Sequence, residues 1–402
     1  LIVDNVFPGG NSPFQPTSTI SSNGSASSPF QQIENTTSGL SSTVYPALTI
    51  TSMAKKLLPP SRYVWNVTFQ REFNSLRSVA TVAYVGAVGN HNWGVYDINQ
   101  PAVNATYANP GVNAAALRPY QGFNSIQQMQ SQANSKYKGF QLAWQTHFNA
   151  GSTLGVAWSL SNTSDNGSNY HDIHPNTYYN KNLWGQADYN IKSAIMINYV
   201  YALPFFKGQH NLAGQVLGNW EISGVGQMQT GQPSSVATSN VDYAGVSEQG
   251  SMSNSGQFWQ HTGKSVLSKK FAGPNGTSTS GKWFTTTTDG GASIYTPPPV
   301  TYAKDTVNGG YTSTIVTGAF TMEDHVRNQI NKPGVQDWNL SAMKTFPINE
   351  SNAFEFHAGV YNFINHPNWS GPNFTPTASQ FGEVTSKNGD VRTIQVGAKY
   401  RF

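Results

Sequence analysis

Apolar and polar positions alternate with a period of two along most of the chain, and a helical period is almost absent. Successive side chains of a strand point to opposite faces, so this alternation predicts strands with one apolar and one polar face. The C-terminus shows it most plainly. Ile394, Val396, Ala398, Tyr400 and Phe402 hold one set of alternate positions, and Thr393, Gln395, Gly397, Lys399 and Arg401 hold the other. Phe354, Phe356, Ala358, Val360 and Ile364 mark the apolar face of 353–365, and Trp338, Leu340, Ala342 and Phe346 that of 335–346. Val216, Trp220, Ile222 and Met228 do so in 214–230, and Ile195, Ile197, Tyr199, Tyr201 and Leu203 in 193–205. Leu154, Val156, Trp158 and Leu160 follow in 153–163, Phe140, Leu142, Trp144 and Phe148 in 136–149, and Tyr63, Trp65, Val67 and Phe69 in 61–73. A weaker alternation at 78–90 rests on Val82, Tyr84 and Val88.

With the C-terminal segment these make nine expected strands. Each runs to about 10–14 residues, against ~5–6 in a typical globular strand. Crossing a bilayer at a tilt takes ~9–11 residues per strand. Their connections are sorted. Short ones (74–77, 149–152, 206–213, 347–352) alternate strictly with long ones (91–135, 164–192, 231–334, 366–390). Outer-membrane barrels have short periplasmic turns and long extracellular loops, and closure leaves no edge exposed to lipid. A β-sandwich has no reason to sort its loops. The expected fold is therefore all-β, a partial antiparallel transmembrane β-barrel of about nine to eleven long strands.

Residues 1–60 read as a loop-rich segment, extracellular, with one candidate strand near 44–53, and 61–402 as the barrel part. The 231–334 connection is a long extracellular insertion with room for an extra hairpin around 312–321. Nine is an odd number, whereas bacterial single-chain barrels have an even count with both ends on the periplasmic side. A strand is therefore expected before 61–73, either within 1–60 or in a part preceding this chain. The start Leu1-Ile2-Val3-Asp4 has no basic or apolar leader pattern, which leaves processing and truncation equally open. The expectation favours a longer receptor.

Composition agrees. Only 10% of residues are charged, with 23 basic and 19 acidic for a net charge of +4, while aromatic residues make up 12%. An ordinary soluble domain has about 25% charged residues. Disordered chains lack aromatics, and nucleic-acid binders carry a dense basic stripe, so both are excluded. No apolar run is long enough for a transmembrane helix. With no cysteine there is neither a disulfide framework nor thiolate chemistry.

The alternate apolar positions ending at Tyr400 and Phe402 resemble the assembly signal of outer-membrane proteins, which implies the barrel-assembly machinery as a partner. More specifically, Pro333-Gly334-Val335-Gln336-Asp337-Trp338-Asn339-Leu340-Ser341, with Lys344, Phe346-Pro347-Ile348 and Glu350, resembles TonB-dependent outer-membrane transporters. The subgroup it resembles is Oar-like, with a carboxypeptidase-regulatory-like N-terminal domain. Tyr361-Asn362-Phe363-Ile364-Asn365-His366-Pro367-Asn368, Tyr84-Val85-Gly86 and Tyr199-Val200-Tyr201-Ala202-Leu203-Pro204-Phe205 share its texture. The resemblance covers about 60–402 and implies a barrel of about 22 strands with a plug, energised through TonB. Plug and TonB box are absent from these residues, so coupling to TonB would run through a plug outside them. The function implied is that of the C-terminal barrel portion of such a receptor, taking up a solute. A self-contained small barrel (porin or adhesin) and a secreted all-β binding module are the alternatives.

Candidate chemistry is sparse and points to no enzyme. His171 and His174 form an HxxH pair in an expected loop, but two histidines without a third ligand do not make a metal site. Gly276 to Lys282 fits GxxxxGK, yet Trp283 stands where a phosphate loop needs Ser or Thr, and no helix follows. His261-Thr262-Gly263-Lys264-Ser265 lacks the first glycine, Phe258 standing in its place. No GxSxG occurs. Glu355 and His357 point the same way and suit a hydrated lumen pair. Trp144, Trp158, Trp220, Trp338, Phe354 and Phe356 lie on apolar faces and fit lipid-facing or girdle positions. Among loop aromatics, Trp93, Trp259, Trp283 and Tyr243 are the better ligand contacts. No cofactor and no nucleic acid is implied; the lipid bilayer is the expected partner and the bacterial outer membrane the expected location.

Overall fold

The computed structural model describes residues 48–102, 105–109, 111–120, 123–148, 151–168, 183–206, 212–238, 257–261, 281–288, 290–296, 327–348, 352–389 and 391–402, with short pieces at 2–3, 21–22, 25–26, 267, 302–304 and 311–315. Ten strands build the architecture: β1 (Leu48–Met53), β2 (Ser61–Phe73), β3 (Ser78–Asp97), β4 (Phe123–His147), β5 (Thr153–Asp165), β6 (Ser193–Ala202), β7 (Trp220–Gln229), β8 (Val335–Pro347), β9 (Ala353–Tyr361) and β10 (Thr393–Arg401). From β2 to β10 each strand pairs antiparallel with the next in chain order. These are the nine expected strands. Among the described residues β2 pairs only with β3 and β10 only with β9, so the sheet is an open barrel wall.

Register carries the alternation across the whole sheet. One row runs Val67, Tyr84, Phe140, Leu160, and another Tyr201, Ile222, Ala342, Ala358, Val396. Their neighbours on the other face run Thr68, Ala83, Gln141, Ser159 and Ala202, Glu221, Met343, His357, Gly397. A slip of one residue in any pair would turn that strand's apolar side over, so the pattern fixes the face that each residue takes. Packing refines it: Trp338 lies across Gly226, where an added Cβ would fall 2.5 Å from the ring.

Turns close the short-connection end. Asn74–Leu76 forms one 3-10 turn, ended by Arg77 in the left-handed region at φ 45°. Between β4 and β5, Gly151 takes φ 81°, which glycine adopts without strain, and Phe148 N–H donates to Ser152 O at 2.8 Å. The β6–β7 connection departs from expectation. Residues Leu212–Leu217 are helical rather than part of the strand, and Asn219 at φ 57° turns the chain into Trp220. The helix's end carbonyls, Val216 O and Gly218 O, accept from Lys344 Nζ, which reaches them from the apolar face of β8. That contact, made across the sheet, is why local alternation misplaces the strand's start.

At the opposite end β3 and β4 run on past the shared band, through irregular register near Gly89, Asn92 and Gly94. β1 joins there, parallel to β4, from Leu48 beside Phe123 to Met53 beside Met129. It falls within the candidate strand at 44–53. Gln130 Nε2 donates to Gln128 Oε1 at 2.9 Å and Gln132 Nε2 to Gln130 Oε1, so a glutamine ladder replaces apolar packing on this extension.

The long connections fold together. Val236, Phe284, Ile294, Tyr295 and Ile330 from the β7–β8 connection bury a cluster with Phe381 from the β9–β10 connection. Phe284 stacks on Phe374 at 5.8 Å and meets Phe381 edge-on at 5.5 Å. Short ladders frame it, Pro233–Ser234 with Ile330–Asn331 and Ala237–Thr238 with Gln257–Phe258. Tyr302–Lys304 pairs with Tyr311–Ile315, a hairpin close to that expected near 312–321.

Candidate functional site

The polar face offers the surface on which a hydrated solute can bind. Near the long-connection end a cavity of about 550 Å³ is lined by Arg62 of β2, Asn92 of β3, Ser135 and Tyr137 of β4, Thr163 of β5 and Tyr189. Four neighbouring strands thus contribute their inward side chains, and Tyr189 closes in from the β5–β6 connection. Asn92 Nδ2 donates to Ser135 Oγ at 3.3 Å. The lining provides one guanidinium, the Lys136 ammonium, two phenols, three hydroxyls and one amide, which suits polar recognition. A second space of about 340 Å³ lies farther round the same face, beside Asn198, Ser223, Asn339 and Tyr361.

Residues 54–60 run from β1 to β2 against the extensions of β3 and β4. Leu58 N–H donates to Ser131 Oγ at 2.9 Å, and Leu58 O accepts from Ser131 Oγ at 2.9 Å and from Trp93 Nε1 at 3.1 Å. Trp93 was a candidate ligand contact; its indole N–H here fixes the strap. Trp259 and Trp283 pack against the buried cluster of the long connections. Tyr243, His171 and His174 lie outside the described residues.

Two buried polar clusters hold the rim. Asp97 Oδ1 accepts from Asn99 N–H and Ile126 N–H, both at 2.9 Å, and Arg118 Nη1 donates to Asn99 O at 2.9 Å. Asn99 Nδ2 donates to Tyr120, Phe123 and Asn124 carbonyls, which folds the β3–β4 connection back on itself. At the end of β5, Asp165 pairs with Arg327, whose guanidinium also donates to Gln186 O at 3.0 Å. Asn328 Nδ2 joins them through Asp188 Oδ1 and Gln186 O. Neither cluster was legible in the sequence, since no spacing motif links partners so far apart.

Trp144, Trp158, Trp220, Trp338, Phe354 and Phe356 all fall on the apolar face. Trp220 meets Phe356 edge-on at 6.3 Å and Phe73 stacks on Trp144 at 5.6 Å, both toward the short-connection end. Trp158 and Trp338 stand nearer the long-connection end. Ile394, Val396, Ala398 and Tyr400 line the same face of β10, with Tyr400 stacked on Phe402 at 6.2 Å.

Glu355 and His357 share the polar face, 3.9 Å apart, with Arg401 3.9 Å from the same carboxylate. His357 and Arg401 are well exposed, so the group is a hydrated set of charges of small energetic consequence. Lys282 Nζ donates to Thr286 Oγ1 at 2.8 Å and its backbone bridges to Glu383, so it does not open a helix as a phosphate loop would. Among the described residues no three His, Cys, Asp or Glu side chains gather as a metal site.

Among solved structures, the chain is similar to the outer membrane transporter YddB from Escherichia coli, at TM-score 0.42 and 10% identity over 89% of this chain and 34% of that one. It is similar to the FrpB iron transporter from Neisseria meningitidis at TM-score 0.38 and 10% identity over 88% and 33%. P. aeruginosa FpvA bound to heterologous pyoverdines gives TM-score 0.36 and 9% identity over 86% and 27%. The chain thus spans about a third of the length of these transporters. No match is found among curated proteins. A family model described as outer membrane beta barrel domain matches residues 3–395, nearly the whole chain. The chain belongs to the outer membrane beta barrel domain family and is a protein of the bacterial outer membrane.

Proposed function

We propose that the chain acts as the C-terminal barrel portion of a TonB-dependent receptor of the Oar-like subgroup, which takes up a solute. The observation that carries this reading is the register, which gathers the apolar positions of nine long strands on one face and the polar ones on the other. In this reading the apolar face meets lipid and the polar face lines a wet passage. From Trp220 to Met228, β7 rises by about 3.3 Å per residue, or about 26 Å along the strand, comparable in scale to the ~25 Å apolar band of outer-membrane barrels.

The long connections are extracellular and the cavity at Arg62, Tyr137 and Tyr189 is where the solute is first held. The alternating apolar residues ending at Phe402 are read by the barrel-assembly machinery, and coupling to TonB runs through a plug supplied by the rest of the receptor. The small-barrel alternative needs a closing strand from 1–60. β1 instead lies parallel to β4, away from both sheet edges, which favours the receptor reading.

The test is recovery of the native polypeptide from the source cell's outer-membrane fraction and measurement of its intact mass. A mass far above 43.6 kDa supports the receptor. A membrane protein near 43.6 kDa supports the small barrel, and absence from the membrane leaves the secreted module.

A further inference from the structure

A cavity of about 740 Å³ lies on the apolar side of the sheet, remote from the polar passage. Its floor is built by Ile195 of β6, Met228 of β7 and Gln336 of β8, which stand opposite one another in register on the apolar face. Trp158 sits on the same face just below, its Nε1 donating to Ser193 Oγ at 3.0 Å. Overhead are Trp283, Lys332 and Trp369 from the long connections, Trp283 being fixed by Nε1 donating to Asn331 O at 2.7 Å. The space therefore opens where the apolar band ends and the folded connections begin.

Its charge is one-sided. Lys192 and Lys332 line it, and no carboxylate does. Lys387 lies over the Trp369 ring at 5.5 Å. His366 Nδ1, in the wall, is buried without a hydrogen-bond partner.

We propose that this cavity binds an acylated lipid with a phosphate headgroup from the outer leaflet. Its acyl chains lie along Ile195 and Met228 and continue onto the apolar face, and its phosphate meets Lys192 and Lys332. The proposal rests on the apolar face meeting lipid. A free anion would not need a floor continuous with that face. A lipid satisfies both halves of the cavity at once and is present at this depth in the membrane.

The test uses the full chain in detergent micelles, titrated by native mass spectrometry with dipalmitoyl phosphatidic acid, dipalmitoyl phosphatidylcholine and inorganic phosphate. Phosphatidic acid is expected to bind about tenfold more tightly than phosphatidylcholine. Lys192→Gln, at an exposed rim position, should lose about threefold to fivefold of that preference, and Lys192→Gln with Lys332→Gln nearly all of it. Retained heat-modifiable migration on electrophoresis shows that each variant is folded; should the double variant lose it, Lys192→Gln alone decides. Equal binding of the two lipids, or a preference unchanged by Lys192→Gln, overturns the proposal. So does inorganic phosphate displacing phosphatidic acid at equal concentration, which would make the cavity a free-anion site. Flotation with phosphatidylcholine vesicles tests the membrane reading separately: failure to float defeats that reading, whereas flotation without the phosphatidic acid preference defeats only the lipid site.

Discussion

Arg327 and Asp165 stand 162 positions apart in the chain and close a buried ion pair, with side-chain exposures of 9% and 1%. The pair ties the last part of the β7–β8 connection to the end of β5, with β6 and β7 between them both along the chain and across the sheet.

Arg327→Ala should leave the Asp165 carboxylate buried and unpaired, at a cost of about 3–5 kcal/mol to the folded connections. Hydrogen exchange should quicken in 183–190, 233–238 and 327–331 while the strands keep their protection. Pairing the change with Asp165→Asn should recover part of the loss. Unchanged exchange in these segments would show that the clasp does not hold the rim.

Ile222 and Ser223 are adjacent residues on opposite faces of β7, which sets up a comparison within one strand. Ile222→Lys should destabilise by up to about 2–4 kcal/mol, the cost of a cation set into the lipid face toward its midplane. Ser223→Lys, on the wet face, should cost far less. Denaturant unfolding in vesicles reads both, and equal costs would sink the assignment of faces. Trp220→Asp should fall between them, because Trp220 lies near the band's edge.

Phe402 ends the alternate row of Ile394, Val396, Ala398 and Tyr400 and is 94% exposed. So little burial means that its loss should hardly change the stability of the assembled protein. Deleting Phe402, or Phe402→Asp, should instead lower the amount inserted in the outer membrane. Normal insertion of both variants would count against the assembly-signal reading.

Lys344 occupies the apolar row yet is only 2% exposed: its ammonium donates hydrogen bonds to Val216 O and Gly218 O, and Trp220 and Phe346 flank it at 5.5 and 4.8 Å. Lys344→Met keeps the stem and strands Gly218 O, while Val216 O keeps the hydrogen bond donated by Trp220 Nε1 at 3.0 Å. The expected cost is about 1–3 kcal/mol. A shift of the guanidinium midpoint in matched detergent would measure it. A neutral substitution would mean that the helix end finds other donors.

The strands were legible because period two is a local property: Trp338 and Leu340 announce their face with no knowledge of a partner. The alternation also excludes every slip by an odd number of residues, since such a slip would set apolar beside polar. What the sequence hid is what depends on distant partners. Nothing in Gln127-Gln128-Met129-Gln130 suggests an apolar face, so the long extension of β4 went unseen; a glutamine ladder and β1 sustain it. The helix at 212–217 takes its end donor from Lys344, more than a hundred residues on. Phe284 and Phe381 sit in loops rich in Gly, Ser and Thr, and only their meeting in space makes a core. At the candidate site, Arg62 and Tyr137 fall opposite the apolar rows of β2 and β4, though nothing in the sequence singled them out, and Tyr189 and the strap at Leu58 depend on the course of the loops.

The cluster around Phe284 draws on connections that flank β8 and β9, and this has a temporal consequence. Its two halves cannot approach until the β8–β9 hairpin has been laid beside β7, because the hairpin separates them in the chain. Contacts of such long sequence separation form late, after the loop-closure cost has been met. The cap over the wall is thus a record of completed assembly. A chain stalled with its final hairpin undocked would have strands but an unfinished cap, and would offer proteases the segments around Phe284 and Phe381 that the finished protein buries.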